Sequence, residues 1–263
     1  MLMKRVGWMA ASLLLGLAGS VHAADAHFVA SEVTVDGHRY PFQVFVPTGW
    51  TADRAWPVVL FLHGSGERGS DNEAQLKQGL PPWLAKHGDQ FPAVVVAPQA
   101  PDDTVWSGDV ERAAVAALEQ SIATYHGDRT RLYLTGLSMG GYGVWQLAVD
   151  HPGMFAAAAP ICGGILGLDD MPELKVYGVP SGADPYAWVA NRVKPTPMWI
   201  FHGAIDDQVP PADSRAMNKA LTHAGDEVRY TEFPGVNHGS WVPTYDSPAL
   251  WPWMFAHRKA TTG

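Results

Sequence analysis

Gly136, Leu137, Ser138, Met139 and Gly140 set a serine between two glycines, after the largely apolar run 131–135 and before a helix-compatible stretch, 141–150. A serine on a sharp strand-to-helix turn presents its hydroxyl above a sheet, and the flanking glycines let backbone pass close by. The pentapeptide alone is a weak signal, since many unrelated loops contain it. Its weight depends on what else the chain supplies.

A serine hydroxyl attacks a carbonyl only when a histidine removes its proton, and that histidine needs a carboxylate to fix its tautomer. On this kind of scaffold the acid and then the base follow the serine in the chain. Asp206 and Asp207 follow the apolar run 198–201, and His238 follows the run 228–233. Both loops would lie at strand C-termini, the edge where open α/β sheets bind ligands. Spacing alone leaves Asp206 and Asp207 equally open. Among the other histidines, His223 and His257 fall in helical segments and His126 and His151 beside helix ends.

The tetrahedral oxyanion of such a reaction needs backbone donors. One is expected from Met139, directly after the nucleophile, and the other from the loop 63–69. There Ser65 is the choice, through its backbone N–H, with Gly66 the alternative. His63 and Arg68 read as loop-ordering residues, and Glu67 as the partner of a nearby base. Trp106, Trp241, Tyr177, Tyr186 and Trp188 are candidates to line an acyl or aromatic pocket.

These residues need a scaffold of alternating strands and helices. The runs 29–35 and 40–46, separated by Asp36 and Gly37, read as a hairpin of two antiparallel edge strands. The continuous apolar runs 57–62 and 93–97 suit strands buried on both faces of a parallel sheet. Residues 73–87 have helical character that Gly79 and the pair Pro81 and Pro82 should break. A helix over 110–125 with Asp109 as N-cap, then strands at 131–135, 155–161, 198–201 and 228–233 and helices at 212–224 and 248–257, complete the alternation. The pattern predicts an α/β fold with a mostly parallel central sheet, flanking helices and antiparallel N-terminal strands. Residues 163–197 depart from it, carrying five prolines and little period. Their aromatics point to an ordered flap near the site.

Lys4 and Arg5, the apolar run 6–17 and the small-residue site at Val21, His22 and Ala23 read as a secretory signal peptide over 1–23, leaving one catalytic domain over 24–263. The expected address is periplasmic or secreted, with no stable membrane insertion after cleavage. The 263 residues carry 18 basic and 26 acidic side chains, a net charge of −8. That balance makes nucleic acid and anionic membrane surfaces poor partners. Cys162, the single cysteine, rules out an intrachain disulfide and reads as a small buried hydrophobe. No H-E-x-x-H or Cys/His cluster marks a metal site, and Gly136 to Gly143 do not form the dinucleotide fingerprint. Neither a metal nor a cofactor is expected.

Together, residues 62–72, 134–143 and 159–164, the loop with His202, Gly203, Asp206, Val209 and Pro210, and residues 237–241 resemble secreted bacterial serine esterases of the α/β-hydrolase superfamily. Those proteins are related to feruloyl esterases and polyhydroxybutyrate depolymerases. The resemblance implies an α/β-hydrolase fold with Ser138 as nucleophile, His238 as base and Asp206, not Asp207, as acid. It implies a serine carboxylesterase whose substrate is a small-molecule or polysaccharide-linked ester, such as a feruloyl or acetyl ester. Alternatives are a peptidase of the prolyl-oligopeptidase type, a polyester-oligomer depolymerase and, in a different class, a non-catalytic exported binding protein on the same fold.

Overall fold

Residues 25–260 are described by the computed structural model, and the signal-peptide reading of 1–23 lies outside them. Strand β1 (His27–Val35) turns through Asp36 and Gly37, both at positive φ (49° and 83°), into β2 (His38–Val46). Two consecutive positive φ values match the turn to the right-handed strand twist. Next come β3 (Trp56–Leu62), α1 (Leu80–His87), β4 (Val94–Pro98), α2 (Gly108–Thr124), β5 (Gly127–Leu137) and α3 (Met139–Asp150). The chain continues with β6 (Ala157–Ile161), α4 (Pro185–Val193), β7 (Met198–Gly203), α5 (Ala212–Ala224), β8 (Val228–Phe233), α6 (Trp241–Tyr245) and α7 (Leu250–Ala256).

The eight strands form one sheet in the order β1-β2-β4-β3-β5-β6-β7-β8. The six strands from β3 to β8 run parallel, and β2 joins them antiparallel through β4. Alternate strand side chains face opposite layers. Val58, Leu60 and Leu62 pack with α2, α3, α4 and α5, whereas Val59 and Phe61 pack with α1 and α7. Full burial of a side chain such as Phe61 contributes about 1.5–3 kcal/mol, and β3, at the middle of the sheet, is buried throughout.

Four expectations need correction. Of the two N-terminal strands only β1 lies at an edge, because β2 is paired on both sides and its run from Phe42 to Val46 is buried. Pro81 and Pro82 open α1 rather than break a helix, since the first turn needs no backbone donors from them. Ser107, not Asp109, precedes the first residue of α2, and Asp109 sits in the first turn, paired with Arg112 at 2.7 Å. The segment 163–197 is not without helix. Asp184 caps α4 by accepting from the N–H groups of Tyr186 and Ala187, and α4 packs against α3 and α5.

Candidate active site

Ser138 joins β5 to α3 at φ 53° and ψ −119°, a backbone conformation costing a non-glycine residue about 1–3 kcal/mol. The turn is held from both sides, with Ser138 N–H donating to Ile161 O at 3.0 Å and Ser138 O accepting from Tyr142 N–H at 3.1 Å. A β-carbon on Gly140 would overlap the carbonyl of Leu62, and one on Gly136 would stand 2.5 Å from Gly140 O. Glycine at both positions lets β3 cross directly beneath the serine.

His238 lies after β8 and reaches Ser138 Oγ through Nε2 at 2.9 Å, while its Nδ1 lies 2.8 Å from Asp206 Oδ2. The carboxylate fixes the ring with the proton on Nδ1, leaving Nε2 to accept the serine proton. Asp206 is enclosed. Its Oδ1 accepts from Gln208 N–H at 3.0 Å and Val209 N–H at 2.9 Å, and His202 Nε2 stands 3.4 Å from Oδ2. Burial alone would raise its pKa, yet the bonds from His202, His238 and the Val209 amide outweigh that and hold it well below the usual carboxylate range. Asp207 is exposed and contributes its backbone N–H, which donates to Asn237 Oδ1 at 3.1 Å.

The same Asn237 oxygen accepts from His238 N–H at 2.8 Å, so one side chain ties the acid loop to the base loop. Gly203, the last residue of β7, has no room for a β-carbon against the backbone of Val236 and Asn237. Close approach of the two loops at this point brings Asp206 to His238.

The loop after β3 is ordered by buried polar groups. His63 Nδ1 lies 2.6 Å from Gly64 O, and its Nε2 accepts from Ala100 N–H at 2.9 Å, which makes the ring a neutral Nδ1–H tautomer. Burial pushes its pKa down to about 4. In a trans peptide the carbonyl and the following N–H point in opposite directions, so this bond turns Ser65 N–H away from His63. Gly64 itself lies against Ser138. Glu67 accepts from Gly64 N–H at 3.0 Å and has no ion pair among the described residues, contrary to the expected base partner. Its burial raises its pKa. Arg68 is half-buried with its Nε unpartnered. Met139 opens α3, so its N–H has no intrahelical acceptor.

The predicted aromatics divide. Trp241 stands edge-on to His238 at 5.5 Å. Trp106 is buried and donates its indole N–H to His63 O at 3.0 Å, so it supports the loop from beneath instead of facing a ligand. Tyr186 donates to Asp213 Oδ1 at 2.6 Å, and Trp188 lies under the Arg192 guanidinium. Tyr177 N–H donates to Gln146 Oε1 at 2.7 Å. Cys162 is fully buried, with Sγ within 4.8 Å of a carboxylate oxygen of Asp206 and a ring nitrogen of His238. Burial pushes its thiol up to about 12, leaving a neutral packing group beneath the triad.

Sequence reasoning missed Asn237, Asn72 and Gln99. Gln99 accepts from Asn72 N–H and donates to Asp71, both at 2.7 Å, and bridges β4 to the loop that follows β3. Such contacts join residues 27 or more positions apart, beyond any local spacing signal.

The sheet, the strained elbow and the Ser138–His238–Asp206 line define a serine hydrolase of the α/β-hydrolase class. The family model described as the prolyl oligopeptidase family matches residues 109–251. The match covers more than half of the 263 residues, and the chain belongs to that family. It is 29% identical to a poly(3-hydroxyoctanoate) depolymerase of Pseudomonas fluorescens, with 80% of this chain and 77% of that protein covered. A solved structure described as a thermostable esterase is 33% identical, with a TM-score of 0.71 over 88% of this chain and 63% of that one. An uncharacterized secreted protein of Arthroderma benhamiae is 27% identical over 69% of this chain, which spans only 21% of that relative's length.

Proposed function

We propose that the chain is an exported serine carboxylesterase. The observation that carries this reading is the continuous line from Ser138 Oγ through His238 to the enclosed carboxylate of Asp206. Ser138 Oγ attacks the ester carbonyl carbon while His238 Nε2 takes its proton, and the N–H groups of Met139 and Ser65 hold the oxyanion. The imidazolium then protonates the departing alkoxide, leaving an acyl-enzyme. A water molecule, deprotonated by His238, adds to the acyl carbon, and release of the carboxylic acid restores Ser138.

Export rests on the signal-peptide reading of residues 1–23 and on the family resemblance, and a relative named as secreted agrees with it. Among the described residues no helix is long and apolar enough to cross a membrane. Two ester classes suit such an address: feruloyl or acetyl groups on plant polysaccharide, and hydroxy-acid oligoesters. Membership in the prolyl oligopeptidase family makes peptide bonds the competing substrate.

The test sets p-nitrophenyl acetate beside a chromogenic peptide amide, with organophosphonate labelling of the same preparation. Turnover of the ester with labelling at Ser138 is expected. Labelling at Ser138 with cleavage of the amide alone would replace the esterase reading by the peptidase one.

A further inference from the structure

The two peptide groups that flank Gly64 offer four polar positions, and buried side chains take three of them. The His63 carbonyl accepts from the Trp106 indole N–H at 3.0 Å, and the Gly64 N–H donates to Glu67 Oε2 at 3.0 Å. The Gly64 carbonyl accepts from His63 Nδ1–H at 2.6 Å. The fourth position is the Ser65 N–H. It donates to no group among the described residues, because Ser65 opens the short 3-10 turn Ser65–Glu67 and the first amides of a helical turn have no acceptor within it.

Of the three side chains, Glu67 is the one that packing does not explain. It is buried without an ion pair among the described residues, and an unpaired carboxyl is costly to take out of water. Glutamine would close the same capping contact with no charge to bury. The location is also particular. A β-carbon on Gly64 would stand 3.1 Å from Glu67 Oε2, 2.9 Å from Leu137 Cδ1 and 3.6 Å from Ser138 Cβ. The carboxyl and the nucleophile thus press on the same side of Gly64, and the next amide in the chain is the unoccupied one.

We infer that Glu67 is a positioning residue for the oxyanion hole: its bond to the Gly64 amide fixes the backbone of Gly64 and so the direction of the Ser65 N–H. The inference rests on the ester-hydrolase reading above and deepens it. Gly64 is extended, with φ −79° and ψ −178°, and a glycine keeps one such conformation only when its neighbours impose it. Rotation about its ψ swings the following N–H, while an oxyanion donor acts at full strength only about 2.7–3.1 Å from the charged oxygen. Glu67 holds the amide side of Gly64 and His63 the carbonyl side. The His63 bond also polarises the Gly64–Ser65 peptide, which strengthens its free N–H as a donor.

The experiment measures kcat and KM on p-nitrophenyl acetate, and inhibition by phenylboronic acid, for the full chain and its Glu67→Ala, Glu67→Met and Glu67→Gln variants. Ser138 Oγ adds to the boron as His238 takes its proton, giving a tetrahedral anion with an oxygen in the oxyanion hole. Glu67→Ala should lower kcat by about 10- to 100-fold, somewhat less than outright loss of an oxyanion donor. KM should stay within about threefold, and the inhibition constant of the boronate should rise in step with the loss of kcat. Glu67→Met fills the same space without the carboxyl oxygens and carries the same expectation where alanine fails to fold. Glu67→Gln, whose side-chain carbonyl accepts the same bond, should recover both quantities to within about threefold. A lower thermal midpoint with kcat and boronate affinity unchanged, or a raised KM with kcat held, would overturn the inference. So would a Glu67→Gln loss as large as that of Glu67→Met, which would put the charge in place of the bond. An active wild type with unaffected variants removes only the role of Glu67, whereas a wild type that turns over no ester removes the reading beneath it.

Discussion

His63 donates through Nδ1 to the carbonyl of the residue that follows it, Gly64, at 2.6 Å. Its other nitrogen, Nε2, accepts from Ala100 N–H at 2.9 Å, a bond that holds only while Nε2 carries no proton. A histidine next to the proposed oxyanion donor thus works as a fixed polar strut and not as a proton carrier.

That strut has a cost in acid. Burial pushes the His63 pKa down to about 4, against about 6.5 for an exposed histidine, so the unfolded chain takes up the proton first as pH falls. Its contribution to stability is complete above about pH 6.5 and declines between there and pH 4, by up to about 3 kcal/mol. Urea midpoints at pH 7, 5.5 and 4.5 should fall more steeply for the wild type than for His63→Gln. Parallel slopes would show that His63 carries none of the pH dependence.

Ser138→Ala should lower ester turnover by on the order of 10⁴-fold or more and abolish organophosphonate labelling. Stability should be kept, because the backbone bonds at the elbow do not use the hydroxyl. Circular dichroism melts alongside the assay check both halves, and labelling at another residue would sink the assignment.

Asp206→Asn should cost about 10⁴-fold in kcat, since an amide leaves the base without the carboxylate that selects its tautomer. Asp207→Asn should stay within about threefold, because the exposed residue contributes a backbone N–H that the substitution keeps. A reversed ranking in steady-state kinetics would exchange their roles.

The single thiol should be inert in the native enzyme. Cys162 is fully buried and its thiol is pushed up to about 12, which leaves a negligible thiolate fraction at neutral pH. Iodoacetamide should leave activity unchanged and modify the chain only in denaturant, read by mass spectrometry. Rapid native alkylation would contradict the burial.

Gly140→Ala should fail to fold or lose more than about 3 kcal/mol, because its new methyl group meets the carbonyl of Leu62. Soluble yield and the thermal midpoint measure the loss, and a shift of only a degree or two would mean that β3 can give way.

The parts legible in the sequence were those written as local pattern. The apolar run ahead of Gly136 marked β5, and 212–224 and 228–233 matched α5 and β8 to the residue. Helix α4 escaped because only Val189, Ala190 and Val193 are buried on it, too few to make a period. Its signal was the cap, Asp184 followed by Pro185. Trp106 was named for the wrong task, since composition reveals an aromatic but not which backbone carbonyl its N–H will meet. Asn237 stood inside the 237–241 motif, but nothing in that motif told what its side chain holds. Its partners are the amides of Asp207 and His238, and the former becomes a neighbour only when β7 and β8 pair.

Asn237 also constrains how this scaffold can diversify. Because one amide oxygen serves both loops, the acid and base cannot drift apart independently, and an insertion in either would uncouple the other. New specificities must then arise elsewhere on the sheet edge, in 163–197, in α6 and in the approach to α1. The proton-transfer pair is tied in place by that amide, and the walls around it are not.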